Sequence, residues 1–289
     1  MKSLIYTMAF VILAAAAHAS SLELSRASAP EDSPAPPLLK GQIPQSRVAM
    51  GAGVIARAYL SSPTRRYDHG VLGDKVEASA LTFVLDNGKE LIYDLPPSRV
   101  FEDLVPRLVN LDREGTDEVV VVESDLKLGA SLAVYGLRNG EVEKIAATPF
   151  LGRAHRWLNP VGAGDFNGDS VMDLALVATP HIGGVLELYS WTPPDLTRYA
   201  SMHGVSTHFI GSTALGMGRV VRGDLKDLIL APTQMHNALL LLEWVDGKIV
   251  EKARVSLPDG IAGDLVPTGH NQWRFRLENG SYQSVKAAP

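Results

Sequence analysis

The chain has 289 residues, with 27 Lys plus Arg against 32 Asp plus Glu and a formal net charge of -5 at pH 7. That length is ample to bury a core, as one large all-β domain or two ordinary ones, and the lack of any basic block argues against a nucleic-acid partner. There is no cysteine, which excludes disulfides, thiolate metal ligands, a cysteine nucleophile and a lipid-bearing N-terminal cysteine.

Residues 4–17 form an apolar run behind Met1-Lys2 and end in Ala17-His18-Ala19, the small-x-small pattern of a signal peptidase site. The run falls short of the roughly 20 apolar residues of a spanning helix. Residues 1–19 therefore read as a signal peptide cleaved before Ser20 rather than as a retained anchor. The expected mature chain is exported, periplasmic or extracellular, with no membrane span. Residues 20–46 carry Pro30, Pro34, Pro36, Pro37 and Pro44 among Ser and Ala, with neither strand nor helix periodicity. They predict a disordered, PPII-like leader.

From 47 to 289 the texture changes to short apolar runs broken by glycine. Asn87-Gly88, Asn139-Gly140, Asp246-Gly247 and Asn279-Gly280 are hairpin signals, since Asn, Asp and Gly accept the positive φ of tight turns. A repeat is visible. Asn110-Leu111-Asp112-Arg113-Glu114-Gly115-Thr116-Asp117-Glu118 before Val119-Val120-Val121-Val122 has the layout of Asp165-Phe166-Asn167-Gly168-Asp169-Ser170-Val171-Met172-Asp173 before Leu174-Ala175-Leu176-Val177. Each reaches a glycine and an alternating strand that ends in an aromatic, Tyr135 or Tyr189. A shortened copy runs from Gly223 and Asp224 to Asp227 and ends at Trp244. Eroded units flank these, with Ala80-Leu81-Thr82-Phe83-Val84 and Trp273-Arg274-Phe275-Arg276-Leu277 as their alternating strands. About five such units, each apolar on two faces, must stack to bury themselves. The expected fold is all-β, a β-propeller of about five (five to seven) four-stranded blades.

The Asp165 loop crowds three carboxylates into nine residues, which repel unless a cation sits among them. Side-chain oxygens of Asp165, Asn167, Asp169 and Asp173 and the Val171 carbonyl form a hard oxygen set suited to a structural Ca2+. The other reading is a polar turn whose carboxylates cap backbone amides. Asn110, Asp112, Glu114, the Thr116 carbonyl and Glu118 repeat the spacing with longer glutamate arms, as a weaker second site. The Asp224 to Asp227 loop has lost ligands and reads as a structural turn.

This Asp165 to Leu174 motif is similar to the D-x-[DN]-G-D-G-x-x-D-L loop of the FG-GAP or VCBS type repeat, seen in integrin α-chain propellers and in exported bacterial proteins. Ser170 departs from it, standing where the family usually has glycine. The resemblance implies a propeller over most of 47–285, with calcium holding loops and partners binding on the propeller faces. It does not imply one function, since the fold serves many.

His155, Arg156, Trp157, His181 and His208 fall in stretches that read as loops. If those loops converge near an axis, they form a polar pocket for an anion, a sugar or a transition metal. Otherwise each imidazole bonds loop carbonyls or meets solvent. No H-E-x-x-H, G-x-S-x-G, P-loop or Rossmann pattern is present in context. The leading functional expectation is a non-catalytic calcium-binding module that recognises a protein or glycan of the cell envelope. A propeller hydrolase or lyase working through the His and Arg loops is the alternative, and an assembly role tethered by the leader is a third.

Overall fold

A computed structural model describes residues 20–31 and 34–289. The expected signal peptide lies outside the described residues, which are all-β and contain no helix. β1 (Ser21–Ala27) precedes a first antiparallel meander of β2 (Ala49–Met50), β3 (Ile55–Thr64), β4 (Glu77–Leu85) and β5 (Glu90–Asp94). After the short β6 (Arg99–Phe101), a second meander holds β7 (Arg107–Val109), β8 (Glu118–Asp125), β9 (Gly129–Arg138) and β10 (Glu141–Ala147). The third is β11 (Leu158–Gly164), β12 (Asp173–Ala178), β13 (Val185–Thr192) and β14 (Asp195–His203). The fourth is β15 (Arg219–Val221), β16 (Leu228–Pro232), β17 (Ala238–Val245) and β18 (Lys248–Ser256).

The fifth unit takes only three strands from the C-terminal region: β19 (Val266–Gly269), β20 (Gln272–Arg276) and β21 (Tyr282–Ala288). Its fourth strand is β1, antiparallel to β21 from Ser21 opposite Ala288 to Ala27 opposite Tyr282. This corrects the expectation of a structureless leader over 20–46. Leu22 and Leu24 alternate with polar neighbours and pack on the fifth unit's core, a two-residue period that residues 20–46 do carry, though briefly. Further along, Ile43 is fully buried and its N–H donates to Leu60 O at 3.1 Å, so this stretch belongs to the first unit.

Hydrogen bonding groups the strands into one 13-stranded and two four-stranded sheets. The large sheet is the first three meanders, linked by β6, which pairs with β4 and β8, and by a parallel bridge between Ala147 and Asp195. The second strands explain why the units stack. Along β8, Val119 and Val121 enter a core shared with Leu60, Leu81 and Phe83 of the first unit. Val120 and Val122, on the opposite face, share one with Leu174 and Leu176 of the third. Along β12, Ala175 and Val177 turn to Ile229 and Ala231; along β16, Leu228 and Leu230 turn to Trp273 and Phe275. A strand buried on both faces has a continuous apolar sequence. That is why Val119-Val120-Val121-Val122 and Leu174-Ala175-Leu176-Val177 carry no alternation.

In each meander the turns alternate between the two ends of the sheet. The turn from first to second strand holds the acidic loops. The turn from second to third strand and the crossing to the next unit lie at the other end, where the histidines gather. Expected hairpins close β9 to β10, where Asn139 and Gly140 have φ of 55° and 82°, and β17 to β18, where Asp246 and Gly247 have 47° and 83°. Both residues of each pair take the left-handed region, as a two-residue hairpin of primed type requires.

Candidate functional site

At the histidine end, side chains from three units line one cavity of about 400 Å³: His69 from the β3 to β4 turn, His155, Arg156 and Trp157 from the β10 to β11 crossing, and His181 and Ile182 from the β12 to β13 turn. Its placement is fixed by contacts between residues far apart in sequence. Tyr67, buried beneath the loop, accepts the His155 N–H at 2.8 Å and packs its ring 5.2 Å from the His155 ring. The His69 and His155 rings stack with centroids 5.0 Å apart and planes 25° from parallel. Trp157 is buried, donates its Nε1–H to Glu102 O at 2.9 Å, and lies parallel to His181 at 6.0 Å.

Two hydrogen-bond chains set what the imidazoles present. His208, on the β14 to β15 crossing, has Nε2 2.9 Å from Ser212 O, and its Nδ1 is 2.8 Å from His181 Nε2. A carbonyl only accepts, so His208 Nε2 carries the proton and the neutral ring's Nδ1 accepts; His181 Nε2 must then donate, leaving His181 Nδ1 as a free lone pair. Burial keeps both rings neutral, with pKa values pushed down to about 4 for His181 and about 3 for His208. Asn159 holds the crossing that carries His208, donating from Nδ2 to Thr207 O at 3.1 Å and Leu215 O at 3.0 Å.

The second chain runs through Glu102, which is fully buried. Its Oε1 is 2.5 Å from His69 Nδ1 and its Oε2 accepts from Ser124 Oγ at 2.5 Å. Burial raises the Glu102 carboxyl to about 8 and lowers His69, with Arg156 adding to the latter. The pair holds one proton between them. Below about pH 8 the proton rests on Glu102, whose carboxyl donates it to Nδ1 of the neutral ring, and the ring's own N–H is then at Nε2. The cavity thus presents a donor at His69, an acceptor at His181, a cation at Arg156 and an indole wall, beside the exposed Ile182 and Ile210.

All five residues expected on the ligand face are therefore brought together: His155, Arg156, Trp157 and His181 line the cavity, and His208 stands behind His181 and 4.7 Å from the Trp157 ring. Sequence reasoning missed His69, Tyr67, Glu102 and Ser124. It also missed His236, buried on the β16 to β17 turn with its ring 4.0 Å from Phe209. A signal was present, since His69, His181 and His236 occupy the same second-to-third-strand turn of three different units.

The acidic loops lie at the other end and are closed by their own backbones. Asp165 accepts from Gly168 N at 2.7 Å and Ser170 N at 2.9 Å, Asn167 Oδ1 from Asp169 N at 3.0 Å, and Asp169 Oδ1 from Val171 N at 2.8 Å. Asn167 Nδ2 donates to the other Asp169 oxygen at 2.9 Å. Asp173, buried at the head of β12, accepts through Oδ2 from Phe166 N at 3.1 Å and Tyr199 OH at 2.7 Å, while its buried Oδ1 has no partner. Burial pushes its pKa up to about 6. Ser170 sits at φ 67°, the left-handed conformation in which glycine is costless and serine is not. For a hard cation the donor set fits in kind, all oxygen with one buried carboxylate oxygen unpaired. Among the described residues, however, no three His, Asp or Glu side chains converge on one metal-sized centre.

In the loop from Asn110, Glu118 repeats the role of Asp173: its Oε2 accepts from Leu111 N at 2.9 Å, and burial raises its pKa. Asp112 Oδ1 accepts from Glu114 N at 2.8 Å, the Thr116 N–H donates to Glu114 O at 2.6 Å, and Asn110 is exposed. Asp227 braces the neighbouring loop, accepting from Asp165 N at 3.1 Å while its own N–H donates to Asp165 O at 2.7 Å. Asp224 is exposed. No protein-family model matches this chain, and no curated protein matches it.

Proposed function

We propose that this chain is an exported β-propeller of five four-stranded blades that recognises an acidic saccharide in the histidine pocket, with a structural calcium ion in the Asp165 loop. The observation that carries the reading is the convergence of His69, His155, Arg156 and His181, from loops of three units, on one 400 Å³ cavity. Arg156 matches a carboxylate, the His69 N–H and the His181 lone pair match hydroxyls or ring oxygens, and Trp157 with Ile182 and Ile210 offers apolar walls to C–H faces. A closed ring is supported by the shared cores between successive units and by the 3.5 Å contact of Arg47, at the start of the first unit, with Asp264, at the start of the fifth.

Calorimetric titration of the purified protein with trigalacturonate, with neutral galactotriose as the comparison, tests the pocket. The proposal expects binding of the acidic trimer only, weakened about tenfold or more by Arg156→Ala and by His181→Gln. Equal binding of both trimers, or no effect of either substitution, would refute it.

One observation favours a second, catalytic reading: His69 is backed by a buried carboxylate and faces the same cavity as the His181 lone pair, the donor and acceptor an acid–base reaction on a bound sugar needs. Incubation with trigalacturonate separates the two readings. Shortened or unsaturated products, lost in Glu102→Gln, would make the pocket an active site; intact trimer keeps it a recognition site.

A further inference from the structure

A second cavity, of about 220 Å³, shares no lining residue with the histidine pocket. All five units contribute to it: Arg47 before β2, Arg107 on β7, Pro160 and Val161 on β11, Arg219 on β15, and Asp264 before β19. Charge is unevenly matched there. Arg107 is paired with buried Asp103 at 2.6 Å, which also accepts from Leu104 N and Val122 N. Asp264 is the one acid lining the cavity, and it is already engaged, accepting from Gly216 N at 2.7 Å and lying 3.5 Å from Arg47. Arg219 donates Nε–H to Leu265 O at 2.8 Å, and its two Nη groups have no acceptor among the described residues.

Burial lowers the Arg219 pKa, and the nearby Arg47 and Arg107 lower it further against Asp264. Arg219 is half-buried at the cavity wall, and its unused Nη donors are open to an anion that enters. The guanidinium packs directly on Gly216, where a Cβ would lie 2.5 Å from Arg219 Nη2 and 2.9 Å from its Cζ. The rest of the lining is apolar, with Val120, Leu132, Leu174 and Leu215 facing the same space. The volume is below the 300–1,000 Å³ typical of pockets for drug-sized ligands.

We propose that this cavity binds a small carboxylate with an apolar body, its head taken by Arg219 and Arg47 and its carbon skeleton by the Val and Leu walls. Two guanidiniums sharing one acid give the head a net positive seat, and the planar fork of Arg219 suits a carboxylate. Apolar walls favour a carbon-bearing anion over an inorganic one.

Calorimetric titration of the purified protein with benzoate, succinate and inorganic phosphate tests this. Benzoate is expected to bind more tightly than phosphate. Arg219→Met should weaken it by at least about tenfold and Arg47→Ala by about three- to tenfold, with Arg219→Lys in between because charge persists and the fork is lost. His181→Gln should leave benzoate binding unchanged, which separates this site from the saccharide pocket. Should Arg219→Met fail to fold, Arg47→Ala, whose side chain is half exposed, decides the matter. Absence of carboxylate binding to the unaltered protein, tighter binding of phosphate than of benzoate, unchanged binding in the arginine variants, or loss of binding in His181→Gln would each overturn the proposal.

Discussion

The two ends of these sheets solve the same problem, polar groups near a buried core, in opposite ways. At the acidic end most loop partners are local: Asn167 and Asp169 each bond an amide two residues on, and Asp165 bonds amides three and five residues on. At the histidine end they are distant, with Tyr67 and His155 separated by 88 residues, His69 and Glu102 by 33, and His181 and His208 by 27. Local bonding makes a self-contained turn, whereas distant bonding ties units together and fixes groups at a shared cavity. The difference concentrates cross-unit bonding around the cavity at the histidine end, whereas the acidic loops are closed mainly from within, with Asp165 and Asp227 joining two of them.

Breaking the histidine end should therefore cost most. Trp157→Ala removes a buried ring and its bond to Glu102 O, and a loss of about 3–5 kcal/mol is expected in urea unfolding. Asp169→Ala without calcium, at an exposed loop position, should cost under about 1 kcal/mol. Equal losses would erase the contrast. Calcium sharpens it from the other side: at about a hundredfold excess over its Kd, the ion should add about 2.7 kcal/mol. A chelator should reverse the gain in melting temperature. Asp169→Ala should abolish the increment and Asp224→Ala should leave it; an increment insensitive to Asp169→Ala would remove the ion from this loop.

Acid should strain the histidine end. The His208 pKa is depressed to about 3 from an ordinary 6.5, so between those values the unfolded chain binds more protons than the folded one. Stability is then level above pH 6.5 and falls as the pH drops below it. By pH 4.5 this group alone should cost on the order of 2–3 kcal/mol. His208→Gln, which retains an acceptor for His181 and a donor for Ser212 O, should make that slope shallower in a series of denaturant midpoints without abolishing it, since His181 and His236, both lowered to about 4, add to it; an unchanged slope would place the titration elsewhere. The smallest effect belongs to the acidic end. Ser170→Gly, at φ 67°, should gain about 0.5 kcal/mol, the strain of a left-handed serine less the added freedom of the unfolded chain. A loss would show that serine is needed there for more than its backbone.

The same contrast sets what could be read from sequence. Hairpin turns such as Asn139-Gly140 are local, and so are the second-strand runs and the recurrence of an acid at the head of β8 and β12; all were legible. So was the placing of His155, Arg156, Trp157, His181 and His208 in loops, whereas their meeting at one cavity was one of two open readings. Their partners were not legible. Glu102 is a single carboxylate beside β6, and nothing near it in sequence marks it as the support of His69. β1 was missed because its alternation spans seven residues amid Ser and Ala, and its partner, β21, lies at the other end of the chain. The shared turn of His69, His181 and His236 was available from the repeat once the units were laid over one another.

The most direct test of the histidine end is a proton and nitrogen NMR titration of the imidazoles, with and without trigalacturonate. His181 and His208 should stay neutral down to pH 5, each protonated at Nε2. The ligand should shift the ring signals of His69, His155 and His181 while leaving those of the exposed His203 and His270 in place. Titration of His181 and His208 near 6.5, or ring signals that ignore the acidic sugar, would contradict the account.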